Sequence, residues 1–256
     1  MQVVMVYSEA GGVSKTTTAV SLAMTAALSG KRAVLIDLDP RAASTKWFGA
    51  QPSQDGLHVG AILGSDDSTE GWAEAIAVPS GWHDNLRVIP AARSLSNREA
   101  DRTDHAELRL ATSLVDLQAD IVIIDCPNRQ GGPLILSALN ASDTVVYAAK
   151  PDTDGFDGYT GAKESVQKFI AARKMMKAPV NLVEAGVVVS GIEQIPLKVS
   201  MHTIGLFEGE GELLYPIVPH RAIVKEVRVS HDWYGLYRKG DPVAQAYVEL
   251  SRKVFR

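Results

Sequence analysis

Apolar, β-branched runs alternate along the chain with stretches whose apolar residues recur at helical spacing. The run "QVVMVY" at 2–7 reads as a strand, and 15–29 reads as a helix that stops near Gly30. "RAVLID" at 32–37 is a second strand, and "LRVIPA" at 86–91 is a third, reached by a mixed connection. Residues 105–117 read as a helix, 120–125 as a strand, 133–140 as a helix, 143–149 as a strand and 156–177 as a helix. A further strand ends near Ser190, a short one covers 213–219, and a helix runs over 242–255. Strands that are apolar on both faces and separated by helices predict an α/β fold: a mostly parallel twisted sheet with helices on both faces. No repeat, low-complexity tract or long linker interrupts the pattern, so 1–256 is expected to be a single domain. Ligands of such sheets sit outside the carboxyl ends of the strands. That places the turns after residues 7, 37, 125, 149 and 190 near one another.

Composition narrows the function classes. Hydrophobic residues make up 46% and charged residues 22% of the 256, as in an ordinary globular protein. No apolar run approaches the ~20 residues of a membrane span, and the chain opens directly into a strand without the pattern of a signal peptide. The one cysteine, Cys126, excludes an internal disulfide and a multi-cysteine metal or iron–sulfur site. It reads as a small buried residue and not as a nucleophile. A cytoplasmic protein is expected. The six histidines show no metal-ligand spacing, and Trp47, Trp72, Trp82 and Trp233 read as packing anchors. A net charge of −4 argues against a surface that binds nucleic acid all over. Basic residues still gather at Lys163, Lys168, Arg173, Lys174 and Lys177, and at Arg221, Lys225, Arg228, Arg238 and Lys239. On composition alone they are solvated helix faces.

The stretch "SEAGGVSKTTTA" (8–19) lies between the first strand and the first helix. A phosphate-binding loop exposes backbone N–H groups at a helix N-terminus, with small residues that let the backbone approach the phosphates. A lysine then meets the β- and γ-phosphates, and the next hydroxyl ligates Mg²⁺. Gly11, Gly12, Val13 and Ser14 would form this cradle, Lys15 the charge, and Thr16 and Thr17 the hydroxyls. The strict pattern G-x-x-x-x-G-K-[ST] fails at Glu9 and Ser14, so an ordinary glycine-rich turn stays open at this point. Asp37 and Asp39 close the second strand, and Asp125 closes another. A carboxylate ending a buried strand is costly unless it meets a cation or donors, and three of them on the loop's edge of the sheet suit a Mg²⁺-nucleotide. Asp125 would hold a Mg²⁺-bound water, Asp37 would support the ion from behind, and Asp39 would orient or deprotonate the attacking water. Strand-end caps facing solvent are the plainer alternative.

Together these residues resemble the ParA/MinD family of deviant-Walker P-loop ATPases. "AGGVSKTT" (10–17) matches the family loop K-G-G-x-G-K-[ST]-T except at Ala10 and Ser14. "DLDPRAASTKWFG" resembles its D-x-D-P-Q segment and places Asp39 at the position of its catalytic aspartate. "DCPN" resembles its D-x-P-P, and "VVYAAKPDTDGFDG" its strand and loop facing the active site. "YPIVPHRAIVKEVRVSHDWYG" resembles the late segment whose proline packs on adenine, here Pro219 followed by His220. The resemblance runs almost end to end. It implies ATP and Mg²⁺ as cofactors and a homodimer that closes on ATP. It further implies sequence-independent DNA binding and hydrolysis stimulated by a ParB-like or other cargo adaptor, hence a nucleoid-associated partition ATPase. The chain resembles the short class without an N-terminal helix-turn-helix.

Four positions depart from the family. Ala10 stands where the signature lysine reaches across the dimer, and Lys150, at the end of the strand "VVYAA", is the residue expected to supply the missing charge. Ser14 replaces glycine, which is acceptable if its φ is negative. Arg41 replaces glutamine and Asn128 replaces proline, with no reading attached to either. With the family in view, Arg221, Lys225 and Arg228 become the expected DNA-binding stripe. Relatives that position other cargo, including carboxysomes, also lack the signature lysine, so such a cargo is an alternative. A MinD-like membrane role is disfavoured because Val243, Tyr247, Val248 and Val254 are expected to pack the last helix on the domain. A dethiobiotin synthetase-like ligase is disfavoured because nothing suggests a second small-molecule pocket.

Overall fold

The structure is a computed structural model and describes every residue except Arg102 and Arg256. Its strands are β1 (Gln2–Tyr7), β2 (Ala33–Asp37), β3 (Val78–Pro79), β4 (Leu86–Ile89), β5 (Ile121–Asp125), β6 (Thr144–Ala149), β7 (Val183–Ile192) and β8 (Leu213–Pro219). They form one sheet in the order β3-β4-β2-β5-β1-β6-β7-β8. Among the described residues every pairing is parallel except β3 with β4. The helices are α1 (Lys15–Leu28), α2 (Ala43–Phe48), α3 (Val59–Gly64), α4 (Trp72–Ile76), α5 (Arg109–Ser113), α6 (Pro133–Ala141), α7 (Thr153–Met175), α8 (Lys198–Gly209), α9 (Ile223–Ser230) and α10 (Asp241–Val254).

The central strands bury both faces, which is why they read as continuous apolar runs. One face carries Met5, Tyr7, Ile36, Ile124 and Tyr147 into a core shared with α6 and α7. The other carries Val4, Val6, Leu35 and Ile123 against α1 and α10. Trp47, Trp82 and Trp233 stack with Phe48 and Tyr234 at the edge of that second core, so they are packing anchors. Val243, Tyr247 and Val254 bury α10 against the sheet. No helix among the described residues is long and apolar enough to cross a membrane.

The expected long helix over 105–117 is only α5 with a 3-10 turn over Ala106–Leu108. His105 and Asp116 both take positive φ, 62° and 64°, and these left-handed residues end the regular run on either side. Helix α8 was not anticipated, because Val199, Met201 and Leu206 are exposed while Thr203, Ile204 and Phe207 are buried, which blurs the apolar stripe. Helix α7 starts at Thr153, before the expected 156, because Asp152 caps it by accepting from the Gly155 N–H at 2.8 Å.

Register delivers the site. Val6 on β1 pairs with Asp125 on β5, and Asp125 pairs with Asp37 on β2. The acidic strand ends therefore stand side by side, at the edge from which the β1–α1 loop leaves.

Candidate functional site

Helix α1 is fixed from behind by two buried hydroxyl pairs. The Thr18 hydroxyl lies 2.9 Å from the Tyr247 hydroxyl and the Ser21 hydroxyl 2.6 Å from that of Tyr234. In front of it the loop turns on two left-handed residues, Gly12 at φ 73° and Ser14 at φ 70°. The condition under which serine would replace glycine there without cost, a negative φ, is thus not met. The turn into α1 needs the left-handed conformation, and serine carries there the Cβ cost that glycine escapes.

Lys15 is buried, and its ammonium donates to the Ala10 carbonyl at 2.7 Å. Burial lowers its pKa to about 8, although the Asp125 charge pulls the other way. Asp125 is fully buried, and neither of its carboxylate oxygens has a hydrogen-bond partner among the described residues. Desolvation, reinforced by the Asp37 charge and offset in part by the Thr16 hydroxyl, raises its pKa to about 7. An orphaned buried carboxylate of this kind is rare and expensive. Together with the Thr16 hydroxyl it makes a hard-oxygen donor pair of the sort Mg²⁺ uses when phosphates and water complete its shell.

Asp37, expected behind the metal, has both its carboxylate oxygens hydrogen-bonded to the protein. One accepts from the Asp39 N–H at 3.1 Å, the other from the Thr45 N–H at 2.8 Å and the Thr45 hydroxyl at 2.7 Å. Thr45 in turn accepts from the Ala91 N–H. Asp37 is a bracket that ties the turn after β2 to α2 and to the end of β4, and its pKa is raised by burial against these bonds. The eight-residue spacing from Asp37 to Thr45 carried no sequence signal, because the bracket closes through a turn and a helix start.

Asp39 is almost entirely buried and is bound by Arg41. Asn128, whose side-chain oxygen accepts from Arg41, leans over the loop, where a Cβ on Gly11 would stand 3.1 Å from the Asn128 amide nitrogen. Cys126 is buried, and burial pushes its thiol well up.

A cavity of about 820 Å³ unites the turns. Gly12, Val13, Ser14, Lys15, Thr16 and Thr17 line it from the loop, and Asp39 and Arg41 from the turn after β2. Lys150 lines it from the end of β6, while Pro219, His220, Arg221, Lys225 and Arg228 close the far side. Lys150 forms no ion pair among the described residues. His220 Nδ1 lies 3.0 Å from Glu193. Arg228, expected in an outer DNA-binding stripe, is instead half-buried. It donates to the Thr17 hydroxyl at 2.9 Å and stacks 4.5 Å above the Trp47 ring, so its guanidinium is turned into the cleft. Lys225 is exposed and Arg221 is half-buried.

A family model described as an AAA domain, AAA_31, matches residues 1–178. The sporulation initiation inhibitor protein Soj of Bacillus subtilis is 33% identical over 170 residues, 65% of each chain. The first four curated relatives are matched over only 40% to 65% of their own length. The chromosome-partitioning ATPase Soj of Thermus thermophilus is 26% identical over 250 residues, 96% of this chain and 92% of its own. Among solved structures, apo McdA from Cyanthece superposes with a TM-score of 0.83 at 20% identity, covering 99% of this chain and 98% of its own, a likeness of fold. With that family model matching well over half of its length and these relatives beside it, the chain belongs to the AAA domain family AAA_31 and to the ParA/MinD group of deviant P-loop ATPases.

Proposed function

We propose that this chain is a Mg²⁺-dependent ATPase of DNA partition, which dimerises on ATP, binds DNA without reading sequence and hydrolyses ATP when a cargo-bound adaptor stimulates it. The observation that carries the nucleotide reading is Asp125. It is a buried carboxylate without partners, beside a buried lysine at the mouth of a helix N-terminus. In this reading Lys15 and the loop amides bind the phosphates, and Thr16 and Asp125 hold Mg²⁺. The ion would neutralise charge between the β- and γ-phosphates and orient them. Asp39 orients the attacking water, and Pro219 and His220 face the base. Lys150 supplies the positive charge that Ala10 cannot, within the subunit or across the dimer; its place on the cavity wall without an ion-pair partner supports this.

Partition is favoured by the near full-length relationship to a protein named as a chromosome-partitioning ATPase. Ala10 favours a second reading, positioning of a cargo other than DNA by the same cycle. The test is DNA binding with Mg-ATP, Mg-ADP and no nucleotide. Binding that needs ATP, ignores sequence and falls steeply with salt supports the partition reading. Binding that ignores the nucleotide, or none in any state, overturns the DNA limb.

A further inference from the structure

Among the described residues, every hydrogen bond to the carboxylate of Asp39 comes from one residue. Arg41 donates its backbone N–H to Oδ1 at 2.8 Å and its Nε to Oδ1 and Oδ2 at 3.3 and 3.2 Å. It then closes the fork with Nη2 on Oδ2 at 2.9 Å. Such bidentate, charge-assisted contacts are the strong and geometrically specific ones. The same Nη2 donates to the Asn128 side-chain oxygen at 2.5 Å, and Lys46 holds the Arg41 carbonyl at 2.7 Å. Arg41 and Asn128 are two of the four positions that depart from the resemblance, and here they touch. Glutamine could not close that fork, and proline has no side-chain oxygen to accept from it.

The side chain of Asp39 is 6% exposed and that of Arg41 64%. The acceptor is therefore rigidly placed, while the donor lies on the rim, where it can leave without disturbing the core. A carboxylate must present a lone pair to a water in order to orient or deprotonate it. With both oxygens filled by a guanidinium, Asp39 cannot do so.

We propose that Arg41 is a positioning residue that withholds Asp39 from the attacking water, that Asn128 holds Arg41 in this place, and that basal hydrolysis is slow until Arg41 is displaced. The proposal rests on the reading of Asp39 as the water-handling carboxylate. It gives the two unusual residues a joint task, which neither has if the pair is an ordinary surface salt bridge.

The test is steady-state ATP hydrolysis by the full chain without partner. Arg41→Gln should raise kcat about tenfold, with the KM for ATP changed less than twofold and Mg-ADP affinity and melting temperature held. Arg41→Lys keeps the charge but loses the fork, and should lie between. Asn128→Ala should raise kcat by a smaller factor, and the double variant should not exceed Arg41→Gln, because Asn128 acts through Arg41. An unchanged kcat in Arg41→Gln overturns the proposal. A lowered kcat overturns it as well, and would make Arg41 a phosphate-binding cation. Asp39→Ala separates the two levels. If it leaves hydrolysis intact, the reading of Asp39 falls and the lock with it. If it abolishes hydrolysis while Arg41→Gln is no faster, the lock alone falls.

Discussion

Gly158 of α7 stands directly against Ala10 of the β1–α1 loop. A Cβ on Gly158 would overlap the Ala10 Cβ and backbone nitrogen, and the Gly158 carbonyl accepts the Glu9 N–H at 3.1 Å. Gly161, one turn on, leaves room for the Glu9 carboxylate in the same way. The long helix thus works as a rail for the loop, and the residue at position 10 faces helix backbone.

Gly158→Ala should therefore displace the loop. The overpacking is expected to cost about 1–3 kcal/mol of stability and to weaken ATP binding about tenfold or more. Gly205→Ala in α8 is the control, since a Cβ there meets nothing within 4 Å. It should be neutral or stabilising by up to about 1 kcal/mol. Thermal melting and nucleotide titration of both variants check the pair; equal effects would remove the rail.

The positive φ of Ser14 predicts a stabilising reversion. Ser14→Gly should relieve a left-handed side chain, which costs roughly 1–2 kcal/mol, less the extra freedom glycine gains on unfolding. A net rise of a few degrees in Tm is expected, with ATP binding kept. Ser14→Val, β-branched at the same φ, should lower Tm and weaken binding.

Asp125 ties function to pH. Its carboxyl titrates at about 7 in the fold and near ~3.9 in an unfolded chain. The folded state holds the proton more tightly, so this group's contribution to stability is fully present below about pH 4 and is lost as pH rises through about 7. Asp125→Asn removes the buried charge. It should raise the Tm of the nucleotide-free protein by several degrees at pH 8, with a gain that shrinks toward pH 5, and should abolish Mg²⁺-dependent ATP binding at both. A gain independent of pH would show that charge burial is not its source.

The basic residues of α9 and its approach should separate by role. Charge reversal of Arg221 and Lys225 together is expected to weaken DNA binding and flatten its salt dependence, with dimerisation intact. Arg228→Ala should instead lower stability by about 1–2 kcal/mol, through the lost Thr17 bond and the lost stacking on Trp47. Filter binding at several salt concentrations, beside thermal melts, distinguishes the two.

Lys150→Ala should abolish ATP-dependent dimerisation or hydrolysis while leaving the monomer folded, since the ammonium makes no ion pair among the described residues. Sedimentation with Mg-ATP reads the first and phosphate release the second; a variant that behaves as wild type removes Lys150 from the site.

The amino-acid sequence by itself determined the framework. Runs such as 3–7, 121–124 and 145–149 are apolar at every position, and only a strand buried on both faces has a use for that. The order of these runs and their intervening helices set the parallel sheet, and small residues before Lys15 marked the loop at its edge. These are local facts, carried by periodicity and spacing over a few residues.

Only the tertiary structure decided which polar groups meet. The sequence placed Asp37, Asp39 and Asp125 alike, as acids ending or following strands, and could not show what each one meets. Yet Asp37 is bonded by Thr45 and the Asp39 N–H, Asp39 is filled by Arg41, and of the three Asp125 alone has carboxylate oxygens without a hydrogen-bond partner among the described residues. Arg228 left the surface because Thr17, 211 residues earlier, and the Trp47 face lay within its reach. The φ of Ser14 was set by the geometry of the turn and not by its side chain. Hydrogen bonds and ion pairs act over about 3 Å, and the partners come from distant parts of the chain. Their pairing is fixed only once the strands have taken their register.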